Sequence, residues 1–345
     1  MAARLGVIGH TGLGEAIRRR FQNRPALELF AIVLVTAAIG IGNAAYQRGN
    51  LLGAALGAEI LTEDFRRPWI VIIALSAGAL LWTGRYRVIE RVLIGLVLVM
   101  SAAFLATALS VAGSPADIAR GFVPILPDAP DAALVALGLV GTTIVPYNLF
   151  LHASAARERW AEAGGLPAAR ADLIVAIGLG GIVSMAIVVT AAARQGVPIA
   201  GAADMAVQLE PLLGRWATTV FAVGLMAAGV TSAITAPLAA AYALSGAFGW
   251  TVDLRAPRVR AIWLAVLAIG GVFALFDVEP VRAILSAQVA NGILLPAIAI
   301  FLLVVMNDRR ALGNAANGWK ANVAGGLIVA LTIVLGMRAL LRALA

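Results

Sequence analysis

Pro146 stands inside the apolar stretch 132–156, in the run Leu139-Val140-Gly141-Thr142-Thr143-Ile144-Val145-Pro146-Tyr147-Asn148-Leu149-Phe150-Leu151-His152. A proline donates no backbone N–H and its ring collides with the preceding turn, so a helix is expected to break here. Peptide groups freed at membrane depth are tolerated only where protein buries them or where they line a cavity. In many secondary transporters such interrupted helices hold the substrate. Thr142, Thr143, Asn148 and His152 surround the break with hydroxyl, amide and imidazole groups. The chemistry on offer is reversible binding of a small ion or solute. Enzyme signals are absent: no carboxylates pair within a span, no phosphate-binding glycine loop follows a strand, and no His/Glu zinc spacing occurs. Gly12-Leu13-Gly14 is too short a glycine signal to count.

The elements that must position these groups are membrane helices. Hydrophobic residues make up 61% of the 345 and charged residues 13%, with a mean hydropathy of +0.95. Stretches of the length needed to cross a bilayer recur along the chain. The sequence predicts nine spans, near 29–52, 68–84, 88–112, 132–156, 172–194, 217–248, 258–276, 281–306 and 321–341, in one transmembrane domain covering 1–345. Residues 1–27 are expected to form a cytoplasmic segment. The proline-rich stretch 114–130 is expected to be irregular. Residues 203–213 are expected to lie as a short amphipathic helix on the membrane surface. There is no cysteine, so disulfides and thiolate metal sites are excluded. The N-terminus is polar and basic, which argues against a signal peptide.

A net charge of +8 raises the question of nucleic acid, but the charge is distributed as in a membrane protein. Arg4, Arg18, Arg19, Arg20 and Arg24 lie before the first span. The alternate loops carry Arg85, Arg87 and Arg91; Arg157, Arg159 and Arg170; Arg255, Arg258 and Arg260; and Arg309, Arg310 and Lys320. The intervening loops hold only Arg66, Arg67, Arg120, Arg194, Arg215 and Arg282. By the positive-inside rule the N-terminus is cytoplasmic. The implied partners are a lipid bilayer and no nucleic acid, with no obligatory protein partner evident.

The segment from Val145 to Ser154 resembles the sixth helix of the Nramp divalent-metal transporters, which have Met-Pro-His at the break and Tyr-Leu-His-Ser-Ser after it. Other stretches are similar in order and spacing. Ala3-Arg4-Leu5-Gly6-Val7 with Gly14-Glu15-Ala16-Ile17-Arg18 resembles the end of the family's second helix and its loop. Thr219-Val220-Phe221 with Ala227-Ala228-Gly229 resembles the eighth helix. Ser286-Ala287-Gln288-Val289 with Asn291-Gly292-Ile293-Leu294-Leu295-Pro296 resembles the tenth. The resemblance implies an all-α, polytopic, LeuT-like inverted-repeat fold that lacks the first helix and most of the second. The family's Asp-Pro-Gly-Asn metal motif does not occur in the sequence.

Three departures bear on the chemistry. Val145 stands where the family has a metal-binding methionine. An isopropyl group offers no lone pair, and losing the soft sulfur weakens any preference for Mn²⁺ or Fe²⁺ over hard cations such as Mg²⁺. The magnesium-carrying side branch related to Nramp also lacks this methionine. Gln47 and Asn50 register on an aspartate and a glutamate linked to proton movement, and amides do not titrate. Tyr147 replaces the histidine of the break, and a phenol is a poor proton relay at neutral pH.

The resemblance marks Thr142, Val145, Pro146, Tyr147, Asn148 and Gln288 as metal or substrate positions, with Thr142 acting through its backbone carbonyl. Ser184 and His152 are candidates for a supporting shell. Plainer readings stand beside these. Asn148 would also cap a half-helix, Gln288 would also bridge helices, and His152 would also serve as a hydrogen-bonded packing residue. Arg48 would either snorkel to the interface or line the cavity. The expected activity is carriage of divalent cations, Mg or Mn class, by alternating access across the cytoplasmic membrane with weak or no proton coupling. The metal is then substrate and no cofactor is implied. The competing expectation is a truncated, non-transporting paralogue with a structural role.

Overall fold

The computed structural model describes residues 1–345 except 64, 84–86, 124, 126–131, 161, 163, 195–200, 277, 278 and 345. Every regular element among the described residues is helical. The chain opens with α1 (Ala2–Gly9) and α2 (Leu13–Phe21), each with one buried face. Arg18, Arg19 and Arg20 fill the last turn of α2, where cations favour the negative end of the helix dipole. Pro25 occupies the first turn of α3 (Pro25–Thr62), a position that wastes no hydrogen bond. Within α3, residues Thr36–Ile41 form a π turn. Glu63, in the left-handed region at φ 54°, stops the helix.

Then come α4 (Arg66–Thr83), α5 (Arg87–Val111), α6 (Pro115–Gly121), α7 (Ala132–Thr143) and α8 (Pro146–Trp160). They are followed by α9 (Gly165–Ala192), short turns over 202–216, and α10 (Ala217–Phe248). The last elements are α11 (Pro257–Ala274), α12 (Pro280–Met306), α13 (Arg309–Leu312) and α14 (Trp319–Leu344).

Among the described residues, eight helical segments are long and apolar enough to cross a membrane, one fewer than the nine spans predicted. The difference is α4, which starts with Arg66 and Arg67 and so has a shorter apolar run. Its two ends nevertheless lie at opposite ends of the bundle. Arg66 pairs with Glu59 at the end of α3, 3.9 Å away. Trp82 sits 4.0 Å beneath the Arg260 guanidinium and edge-on to Trp263. α4 therefore runs the length of the bundle beside its neighbours.

Two further expectations need correction. The stretch 114–130 is not wholly irregular, since Pro115–Gly121 is helical; residues 124 and 126–130 lie outside the described residues, as does Arg85. Residues 203–213 do not form one amphipathic helix but a run of short helical turns packed on the bundle. Leu209 and Ala206 are buried in a cluster with Phe104 and Phe221, because their apolar side finds α5 and α10 rather than lipid. Ahead of α3, Ala3 and Val7 of α1 pack with Ala156 of α8.

The centre of the molecule is α3 against α10. Residues 49–58 of α3 are all buried. Small residues allow the approach: a Cβ at Gly57 would lie 2.4 Å from the Ala222 carbonyl oxygen, and one at Gly229 would lie 2.4 Å from the Ala54 nitrogen. In lipid, where packing replaces the hydrophobic drive, such close contact holds helices together.

The arginine-rich loops meet at one end. Arg157 pairs with Glu15 at 3.3 Å, Arg20 with Asp308 at 3.7 Å, and Arg18 donates to the Phe248 carbonyl at 2.6 Å. Segments assigned to one side by charge alone are therefore neighbours in space.

Candidate substrate site at the interrupted helix

The helix that begins at Ala132 stops at Thr143 and restarts at Pro146. Ile144 still donates to the Val140 carbonyl at 2.9 Å, and Asn148 donates to the Val145 carbonyl at 3.0 Å. Pro146 has no N–H to offer four residues back, so the Thr142 carbonyl loses its helical donor. Thr142, Ile144 and Asn148 are exposed. The break thus leaves the Thr142 carbonyl without its helical donor, in an exposed stretch close to the exposed Asn148. The Thr143 hydroxyl bonds back to the Leu139 carbonyl at 2.7 Å, as threonines in membrane helices commonly do.

Val145, Pro146 and Tyr147 face the other way. Val145 is 2% exposed, within an apolar cluster that includes Val35, Ala38 and Ile39 around the π turn of α3. Its side chain therefore contributes packing at the break and no ligand atom. π turns are rare and often sit at functional sites; the Thr36 hydroxyl in this one is buried without a partner.

Tyr147 and Gln288 are brought together by a residue that the sequence reading missed. The rings of Tyr46 and Tyr147 lie 5.7 Å apart, and the Tyr46 side chain interacts with both Gln288 and Tyr147. The Gln288 Oε1 remains buried and unpartnered, as does the Asn291 Nδ2 one turn further. Around them α7 and α12 cross tightly. A Cβ at Gly141 would lie 2.1 Å from the Gln288 carbonyl oxygen, and one at Gly292 would lie 2.7 Å from the Leu137 carbonyl oxygen. The signal for Tyr46 was present in the sequence, because Asn43, Tyr46, Gln47 and Asn50 fall on one helical stripe.

Gln47 and Asn50 are buried but do not reach the break. The Gln47 amide donates to the Ala233 carbonyl at 3.0 Å. Ala233 lies four residues before Pro237, which sits inside α10, so its carbonyl is the one that the proline strips of a donor. Asn50 donates to the Ser232 carbonyl at 3.2 Å and to the Gln47 Oε1 at 3.2 Å, and Asn43 donates to the Ala236 carbonyl at 3.0 Å. The three amides repair the proline-disturbed turn of the neighbouring helix.

The structure does not bring Ser184 to the break. It is exposed on α9, with its hydroxyl bonded to the Gly180 carbonyl at 3.0 Å; self-satisfaction lets a serine occupy a lipid-facing position. His152 is half-buried on α8 with its Nε2 unpartnered, and the Arg48 Nε on α3 is also unpartnered. Among the described residues no group of three His, Cys, Asp or Glu side chains could hold a metal.

The sequence profile of the natural resistance-associated macrophage protein-like (Nramp) family matches residues 1–342. The chain belongs to the Nramp family. A divalent metal cation transporter, MntH, of Pectobacterium carotovorum is 28% identical, over 98% of this chain and 81% of the relative. Another MntH, of Acidiphilium cryptum, is 30% identical over 99% and 78%. Crystal structures of an Eremococcus coleocola manganese transporter match with a TM-score of 0.73 at 23% identity, over 99% of this chain and 76% of that one. The likeness shows the fold, the LeuT-like all-α bundle of that family. These relatives are named as transporters and none as an enzyme. This Nramp chain is accordingly a multi-helix membrane protein.

Proposed function

We propose that this Nramp protein carries divalent cations across the cytoplasmic membrane by alternating access, as a single transmembrane domain with its arginine-rich end in the cytoplasm. The observation that carries the reading is the interrupted helix, where Pro146 leaves the Thr142 carbonyl without a donor beside the exposed Asn148 amide. Oxygen donors of this kind suit hard cations. Val145 supplies no soft ligand, so Mg²⁺ is favoured over Mn²⁺ relative to a methionine-bearing site. Gln47 and Asn50 are engaged as neutral donors to α10, so transport runs down the cation gradient without proton exchange. Gln288, Tyr147 and Tyr46 form a polar contact between α3, α8 and α12 that must rearrange when the two sides of the bundle move.

Uptake into vesicles tests each part. Mg²⁺ influx above that of empty vesicles is expected, undiminished by an equal concentration of Mn²⁺. Strong selection of Mn²⁺ over excess Mg²⁺ would overturn the ion assignment, and metal-driven acidification of an internal dye would overturn the absence of proton coupling. No flux of either ion would leave a structural role as the better reading.

A further inference from the structure

We infer that a basic pocket at the arginine-rich end binds the headgroup of an anionic phospholipid. The pocket has a volume of about 840 Å³ and lies between α2, the start of α3 and the turn from α12 into α13. Five arginines line it: Arg19, Arg20, Arg24, Arg309 and Arg310. Asp308 is the one acid in the lining, and it is engaged twice, with Arg20 at 3.7 Å and as the acceptor of the Arg310 backbone N–H at 3.0 Å. Arg19 pairs with Glu15 on its own helix. Among the described residues no carboxylate pairs with Arg24, Arg309 or Arg310, and all three are exposed. The wall therefore holds a surplus of cations with fork-shaped donors suited to a phosphate.

Two observations favour lipid over a soluble phosphate. Directly after Arg24, α3 presents a bare apolar face: Leu29, Phe30 and Val33 are 64%, 60% and 56% exposed. Acyl chains would cover that face while their phosphate sits among the arginines. On the far side Trp319 is 72% exposed beside Lys320, an aromatic and a cation of the kind that mark the membrane–water interface. Basic pockets between membrane helices at this level are suited to anionic headgroups. The pocket wall is built, not loose: Asn307 and Asn322 exchange hydrogen bonds at 2.9 and 2.8 Å, and Asn317 donates to Asn322 at 2.9 Å.

The test uses the full chain purified in mild detergent, with phosphatidylglycerol as probe, phosphatidylcholine as the neutral comparison and inorganic phosphate as the soluble one. Native mass spectrometry is expected to show retained phosphatidylglycerol and little phosphatidylcholine. The triple variant Arg24→Gln, Arg309→Gln, Arg310→Gln is expected to weaken phosphatidylglycerol binding on the order of a hundredfold, given the contribution of each cation near an anionic surface. The triple lysine variant should keep most of the binding, which separates lost charge from lost folding. Arg194→Gln, Arg215→Gln, Arg282→Gln removes the same charge at the other end and should change nothing. Equal retention of the two lipids, or equal loss in the two glutamine triples, would overturn the site. Displacement of the lipid by inorganic phosphate would overturn its assignment to lipid.

Discussion

Pro237 and Gln47 complete one another across two helices. A proline inside α10 leaves the Ala233 carbonyl without a donor, and the Gln47 amide supplies one at 3.0 Å. An unpaired buried carbonyl costs about 1–3 kcal/mol. Gln47→Leu is therefore expected to lower stability by about that amount. In a Pro237→Ala background the restored N–H can close the bond within α10, so the same Gln47→Leu change should cost less than about half as much. Thermal unfolding of the four proteins in detergent measures the coupling as a double-mutant cycle. Equal costs in both backgrounds would show that Gln47 does not serve the proline-freed carbonyl. A carboxylate at residue 47 could not take this place: when ionised it accepts hydrogen bonds and cannot donate one to a carbonyl.

At the scale of the element, α7 and α12 cross in close backbone contact beside the break. Any Cβ at Gly141 would meet the Gln288 backbone at 2.1 Å, and backbone cannot swing aside as a side chain can. Gly141→Ala is expected to cost about 1–3 kcal/mol or more through overpacking. Gly178→Ala and Gly180→Ala on α9 meet nothing within 4 Å and should be neutral or raise stability by about 0.5–1 kcal/mol through the backbone preference of alanine. The apparent Tm of each variant decides it; a Gly141→Ala protein as stable as the parent would mean that the crossing has room for a methyl group. The same helices show what can be read from a sequence. The break at Pro146 was legible because it follows from the missing N–H of one residue. The side that Ser184 faces was not legible, because α9 is apolar all round and carries no stripe to tell lipid from protein. Val145 and Asn148 sit three residues apart yet face opposite ways, the one into the cluster of α3 and the other into the open. The interruption itself turns the second half-helix, and no periodic rule spans it. The repair of Pro237 by Gln47 joins residues far apart in sequence, so only the fold reveals it.

At the scale of the molecule, the contacts Arg157–Glu15, Arg20–Asp308 and Arg18–Phe248 gather four segments at one end. Every pair of these segments is joined by an even number of crossings once α4 is counted. Arg194, just after α9, and Arg282, in the first turn of α12, fall at the other end, since each helix starts or finishes among the arginine-rich loops. Moving arginines across a membrane during insertion is unfavourable, so the arginine-rich end is expected to stay in the cytoplasm. The absence of cysteine makes this directly measurable, because one introduced thiol is the only target for a maleimide. Arg194→Cys and Arg282→Cys should react fully with a membrane-impermeant maleimide in intact cells. Arg159→Cys and Asn314→Cys should react only after permeabilisation. The reverse pattern would invert the molecule, and labelling of all four in intact cells would mean two orientations in one population. Either result would also move the basic pocket to the opposite leaflet, while the helix packing described for α3, α10 and α12 would stand unchanged.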